Sequence, residues 1–414
     1  MANATQNVFY VNPVTGNNSW NGRASYHAGG TSLTGPVSTI QAGVTRAVTG
    51  GVEGFEGAVV ILMSDGGASG NAIATGPPTG TASNNNWTHD IAYCNAAVNI
   101  TGTSKNGITI IGGNAGGVID GTVATVAGPA SVGPCLANLE TRTLFKVSNP
   151  WVTFANLDLT NRGATHVEGI VTDGAPGPII NVANCNFTNS KQAIRITGTG
   201  ARAFINKCSF IDCGTGGLPV IEGQNLTIVD SEINSCNTGI LVTGAVSGES
   251  GSLISNRFLF ASRTAFVNAS FRGIKLNGAF GHITDCTFLS GTTDIGNSND
   301  GITGYPLLAI NTDHLENTGQ TYRSSSSSHH GYMISTLFAG DNKFATDANT
   351  FTTGPNTTQG DEDYNETSPL HNMMERLRSA YVNTSANPNV TGDSGYFKSF
   401  VGLTDNSSAF DSVR

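Results

Sequence analysis

The chain has 414 residues, more than one ordinary globular domain, with 53 Gly, 12% charged residues and a formal net charge of -9. So few Glu, Lys and Arg exclude a surface built of helices, and the acidic balance argues against a nucleic-acid partner, because phosphate backbones are held by Lys and Arg. No apolar run reaches the roughly 18 residues of a transmembrane helix, so no membrane insertion is expected.

The opening residues Met1, Ala2, Asn3, Ala4 and Thr5 offer neither a basic region nor an apolar stretch, and no secretory signal is expected. Residues 37–48 read as a helix. Ser38 and Gln41 suit a capping box, and Ile40, Val44, Ala47 and Val48 share one face. A short amphipathic helix here would cover the open end of a stack of strands. Ala58–Met63 is then the first core strand. A Gly/Asn-rich excursion follows to about Ala96, and 108–111 and 144–147 resume the strands. Trp20, Trp87 and Trp151 fall outside the repeat and read as loop residues packed onto it. The seven Cys are odd in number and lack zinc-like spacing, so they read as reduced thiols in the core.

From about Phe154 to Ile295 the chain repeats. Anchors at Leu157, Cys185, Cys208, Ser231, Arg257 and Cys286 lie 28, 23, 23, 26 and 29 residues apart, a loose solenoid period. Three residues before each anchor stand Phe154, Val182, Ile205, Ile228, Ile254 and Ile283. Two after each stand Leu159, Phe187, Phe210, Ile233, Leu259 and Phe288. One before each stand Asn156, Asn184, Lys207, Asp230, Asn256 and Asp285, mostly residues that tolerate a left-handed backbone. A bend there turns the apolar positions on either side inward, since strand side chains alternate. A third inward position is assigned to Ile170, Ile194, Val220, Ile240, Phe266 and Ile295. Three short strands per coil with a tight bend describe an all-β fold, a parallel β-helix, right-handed by the usual hand of parallel crossovers.

After Ile295 the repeat dissolves into a Ser-rich excursion (297–331), with 338–344 as one further coil. Residues 369–381 read as a second short helix, with Ser368 as its cap and Leu370, Met373, Met374, Leu377 and Tyr381 on one side. The expected organisation is therefore 1–57 as N-terminal strand, Gly-rich loop and capping helix, 58–350 as β-helix with loop insertions, and 351–414 as a polar C-terminal segment with a short helix.

Val8-Phe9-Tyr10-Val11-Asn12-Pro13, Thr15-Gly16-Asn17, Gly22, and Gly35-Pro36 before Ser38-Thr39-Ile40-Gln41 resemble the start of many pectate-lyase-like β-helix proteins, phage tailspikes and other virion β-helix proteins among them. The resemblance implies a strand, a Gly-rich loop and a capping helix. Asn17 and Asn18 stand where that group often has Asp, and Gly43 where Ala is usual.

Chemistry is thinly marked. Polygalacturonase-like fragments occur at Asn311-Thr312-Asp313, Gly281-His282 and Arg272-Gly273-Ile274-Lys275, in an order reversed from that family and without a paired Asp-Asp. The catalytic candidates are the carboxylates Asp212, Glu222, Asp230 and Glu232, which adjacent coils could pair as a glycosidase couple. Asp361-Glu362-Asp363 reads as a solvated run, and His314 with His329-His330 as no metal site. No cofactor and no metal is expected.

Three functions fit these features. The first is a bacteriophage virion structural protein, a head decoration or tail-associated component, acting as a homotrimer or other self-assembly with other virion proteins. It would be made in the host cytoplasm. The second is a polysaccharide lyase or glycoside hydrolase of the tailspike-depolymerase type. The third is a glycan-binding adhesin that meets host polysaccharide.

Overall fold

A computed structural model describes residues 7–13, 15–49, 57–64, 91–93, 97–101, 107–127, 143–160, 168–172, 177–198, 200–243, 257–277, 279–298, 304–310, 312–315, 320–324, 329–334 and 337–339. The chain is mostly β with parallel pairing, and it divides into two units, Met1–Thr215 and Gly216–Arg414.

In the first unit each coil lays one strand on each of three sheets. The first sheet runs Val8–Val11, Ala58–Met63, Ile108–Gly113, the opening half of Trp151–Thr160, that of Ile179–Thr188, and Arg202–Asn206, each parallel to the next. The second holds Ile91–Tyr93, Ala124–Ala127, the closing halves of the same two long strands, and Ser209–Ile211. Val98–Ile100, Thr143–Val147, Glu168–Thr172 and Gln192–Arg195 make the third.

The long strands turn the corner between sheets through one residue. Asn156, Asn184 and Lys207 have φ of 53°, 50° and 53°, and the Asn184 amide donates to Asn156 Oδ1 at 2.9 Å. Inward positions then stack in register. Leu159, Phe187 and Phe210 form one buried column, and the two Phe rings lie parallel with centroids 4.9 Å apart.

The second unit repeats the plan. Its first sheet is Asn225–Val229, Phe258–Ser262, Phe280–Thr284, Gly304–Ile310 and His329–Ile334. Its second takes the opening parts of Glu232–Thr243 and Ala265–Asn277, then Thr287–Leu289, Asp313–Leu315 and Leu337–Ala339. Pro219–Gly223, the closing parts of the two long strands, Thr293–Ser298 and Gln320–Ser324 make the third.

One coil departs from the expected register. Val229 pairs with Ser262, and Ser262 with Thr284, so the bend residue following Asp230 is Arg263, at φ 45°, and the anchor is Thr264. Arg257 is not the anchor, and Leu259 lies on the first sheet opposite Leu226. Phe266 accordingly belongs to the second sheet, where it stacks on Phe288 with centroids 4.8 Å apart. The Asp230-to-Arg263 step is 33 residues, against 28 from Asn156 to Asn184. Ile254 and Asn256 lie outside the described residues. On the third sheet the position in line with Ile240 is Ile221 rather than Val220, and Ile274 continues the column to Ile295.

A second bend, unmarked in the sequence reading, closes the corner between second and third sheets. Asn189 and Asp212 in the first unit, and Ser235, Asn268 and Ser290 in the second, all have φ between 52° and 56°. Residues just after the bends donate back across them. Cys185, Cys208 and Cys213 reach the carbonyls of Ala183, Asn206 and Ile211 at 3.3 Å, and Ser231, Thr264 and Cys286 do the same to Val229, Ser262 and Thr284 at 2.8, 3.0 and 3.3 Å. At three of these bends the same carbonyl also accepts a backbone N–H from the neighbouring coil, Asn189 to Ile211, Asp230 to Ser262 and Arg263 to Thr284, each at 3.1 Å, so the small thiol or hydroxyl adds a second bond there.

The N-terminal helix is Ile40–Thr49, with Ile40, Gly43, Val44 and Ala47 buried. Its cap is Thr39, whose Oγ1 accepts from the Ala42 amide at 3.2 Å, and not Ser38. Gln41 does not fold back to complete a capping box. Its side chain accepts from Asn99 N at 2.7 Å and donates to Asn99 O at 3.1 Å, so it completes the backbone pairing of the strand Val98–Ile100. This is the edge protection that an open stack of strands needs. The second helix expected at 369–381 lies outside the described residues.

Candidate functional site

The four candidate carboxylates occupy different structural positions. Asp212, in the first unit, is the exposed bend residue before Cys213. In the second unit Asp230 is the bend residue between first and second sheets, and Glu232 is the first outward residue after it. Glu222 lies outward on the third sheet, in register with Leu241 and, one coil on, Lys275.

Their partners limit the chemistry each can do. Arg263 Nε donates to Asp230 Oδ1 at 2.6 Å and its terminal amine to Oδ2 at 3.1 Å. This two-pronged bond is the strong form of the Arg–carboxylate pair, and the hydrogen bonds and charge of Asp230 raise the Arg263 pKa. Asp230 is thereby spent on holding one coil to the next. Glu232 accepts from the Asn234 amide at 3.1 Å. Within the second unit Glu222 sits on a different sheet from Asp230 and Glu232, so the register does not stack the three as one carboxylate pair.

A further carboxylate was not singled out from sequence. Glu168 accepts from Thr143 Oγ1 at 3.1 Å and pairs with Arg195 at 3.4 Å, at the start of the third sheet in the first unit. Its signal was weak because its strand follows a long connection.

Three of the buried thiols are held in the protonated form, while the hydrogen bond with Cys185 lowers the pKa of Cys208. Burial pushes Cys213 up to about 11 and Cys286 up to about 12, and Cys185, hydrogen-bonded to Cys208 and buried, is held well above the ordinary thiol range. Cys94 and Cys135 lie outside the described residues, as do Trp87 and Asp361-Glu362-Asp363. His314 and His329 fall on strands of different sheets, and no group of three metal-ligating side chains gathers among the described residues.

What the surface does present is aromatic. On the first sheet of the first unit Trp151 and Phe204 point outward, 50% and 44% exposed, so Trp151 is a strand residue rather than part of a packed loop. On that of the second unit Phe258 is exposed and stands in register with Phe280. Beside them Phe260 meets His282 edge-on at 5.4 Å. A sequence signal existed for these residues. Phe204 precedes inward Ile205, Phe258 and Phe260 flank inward Leu259, and Phe280 and His282 flank Gly281. Alternation therefore sends them outward, where polar residues are the norm.

No family model and no curated protein matches this chain. Among solved structures it is similar to a GH136 lacto-N-biosidase from Eubacterium ramulus, with 10% identity over 82% of this chain and 68% of that one and a TM-score of 0.37. It is also similar to a rhamnogalacturonan lyase, with 13% identity over 80% and 73% of the two chains and a TM-score of 0.38. ORF18 of Geobacillus virus E2 matches with 10% identity over 78% of this chain and 60% of that one, at a TM-score of 0.30. None of these likenesses assigns a role to a residue of this chain.

Proposed function

We propose that the protein is a structural component of a bacteriophage particle, a head decoration or tail-associated β-helix that works through contacts between subunits. The observation that carries this reading is the outward placement of large apolar side chains on regular strands, Trp151 and Phe204 in one unit and Phe258 in the other. Apolar groups held out by a rigid sheet are a cost to an isolated molecule and an asset at an interface. In this reading the coils are right-handed, and the assembly is a homotrimer or another closed set of copies joined to other virion proteins.

The alternative is a polysaccharide lyase or hydrolase. Its best support is Glu222 and Lys275, outward on one column of the third sheet with Leu241 between them. The deciding experiment has two arms. Mass spectrometry of purified virus particles is expected to find the protein in stoichiometric amount, and the purified protein is expected to leave bacterial polysaccharides intact. Cleavage that disappears with Glu222→Gln or Glu232→Gln, with no protein in the particles, would establish the enzyme instead.

A further inference from the structure

Cys185 and Cys208 occupy the same place on consecutive coils of the first unit. Each follows a bend residue, Asn184 at φ 50° and Lys207 at φ 53°, and the strand pairings on either side fix their register. Ala183 pairs with Asn206 before the bend and Asn186 with Ser209 after it, so Cys185 faces Cys208 one coil on. Neighbouring strands lie about 4.8 Å apart, and disulfides join Cα atoms about 4.4–6.8 Å apart. Both side chains leave paired strands on the same face, so the separation is one that a disulfide spans.

The two sulfurs interact. The Cys185 thiol donates to the Cys208 sulfur as well as to the Ala183 carbonyl, which lies 3.3 Å away. That bond holds the proton on Cys185 and favours the thiolate at Cys208. Cys208 keeps 3% of its surface open, whereas Cys185 is fully buried. The pair therefore has an order: Cys208 is the sulfur that meets an oxidant, and Cys185 is the one that displaces the oxidised group. Within each unit no other two described thiols share a register. Cys213 faces the Ser190 hydroxyl of the preceding coil, Cys236 pairs with Ala269, and Cys286 stands in line with Thr264.

We propose that Cys185 and Cys208 form a redox-dependent disulfide that staples two consecutive coils. With hydrogen peroxide as the oxidant the step balances. The Cys208 thiolate attacks one peroxide oxygen, forming an S–O bond and breaking the O–O bond, which leaves a sulfenic acid and a hydroxide. The Cys185 sulfur then attacks the Cys208 sulfur. The S–S bond forms as the S–O bond breaks, and the hydroxyl departs as water with the Cys185 proton. The hydroxide takes up the proton that Cys208 had released, so two thiols and one peroxide give one disulfide and two waters.

The staple ties residue 185 to residue 208 in the unfolded chain and so restricts it. In a solenoid each coil is held only by its neighbours, and the bond fastens one of those interfaces directly. A chain folded in a reducing compartment and then carried into an oxidising one would gain this lock after folding. The cross-link does not depend on the particle role proposed above.

The test treats the folded full chain with dilute hydrogen peroxide, removes the excess with catalase, then denatures and alkylates with iodoacetamide. Trypsin and an Asp-specific protease put the two cysteines on separate peptides, 173–191 and 208–211. Mass spectrometry is expected to find these peptides joined, two hydrogens lighter than their sum, and released by dithiothreitol. The unfolding midpoint of the oxidised protein should rise by about 5–10 °C over the reduced form. Cys185→Ser and Cys208→Ser should each lose the gain from this bond while folding normally, since Ser231 fills the equivalent place after its own bend.

Recovery of both peptides unjoined, either cysteine joined to a different partner, or a midpoint gain no larger in wild type than in Cys185→Ser would each overturn the inference. The peptide result comes from wild type alone, so it decides the matter even where a substitution impairs folding.

Discussion

Phe187→Ala is the sharpest probe of the stacked core. Phe187 is fully buried, in register with Leu159 on one side and Phe210 on the other, with the Phe210 ring 4.9 Å away and nearly parallel. Truncation removes a large side chain from a column whose neighbours are fixed by backbone pairing on both sides, so little collapse can fill the space. Buried Phe-to-Ala changes cost about 3–5 kcal/mol. The lost ring pair, worth about 0.5–1.5 kcal/mol, places this one in the upper part of that range. Phe187→Leu, which keeps most of the volume, should cost less than half as much. In a solenoid each coil touches only its neighbours, so the damage should be local. Native-state hydrogen exchange is the suitable assay, read on Ile179–Thr188 and Ser209–Ile211, alongside urea unfolding. A loss below about 1 kcal/mol, or one spread evenly over the unit, would show that the inward column is wrongly drawn.

Gly43→Ala should lower the unfolding midpoint, although alanine favours helices by about 1 kcal/mol. The new Cβ would lie 2.6 Å from Val11 Cγ2 and 3.1 Å from Val60 Cγ1, both in buried residues, and a rise in the midpoint would show that the helix can shift off the strands. Lys207→Asn should raise the midpoint, since φ 53° suits Asn better than Lys and the exposed side chain packs nothing that Asn would lose. A fall there would mean that the Lys207 charge matters more than its backbone. Stability should decline as pH rises from about 9 to 11. Cys213 and Cys286 keep their protons in the folded state up to about 11 and about 12, while in the unfolded chain they ionise near the ordinary thiol value, so the unfolded state binds fewer protons across this window. Cys213→Ser with Cys286→Ser should flatten that decline, because serine can make the same bond across the bend, as Ser231 does. An unchanged alkaline slope would place its origin elsewhere.

How much of this was legible beforehand depended on whether a rule acts within one strand or between coils. Alternation acts within a strand, so the inward residues Phe154, Leu159, Val182, Phe187, Ile205 and Phe210 could be read directly. The bend at Asn156 and Asn184 could be read too, because a left-handed backbone selects Asn locally. Arg263 could not be placed that way. Arginine has no preference for that conformation, and it holds the bend with the preceding coil's Asp230, a partner 33 residues back that only the stacking brings near. The second row of bends is mixed in the same way: Asn189, Asp212 and Asn268 are residues a left-handed backbone selects locally, whereas Ser235 and Ser290 are not.

The site follows the same division. Composition and position marked Asp212, Glu222, Asp230 and Glu232 as candidates, but whether carboxylates meet depends on which sheet each strand joins and what lies one coil away. Tertiary structure alone decided that Asp230 is tied to Arg263 and that Glu222 stands on another sheet. It also decided that Gln41 completes a strand edge instead of capping its own helix, because the competing backbone groups of Asn99 lie 58 residues on.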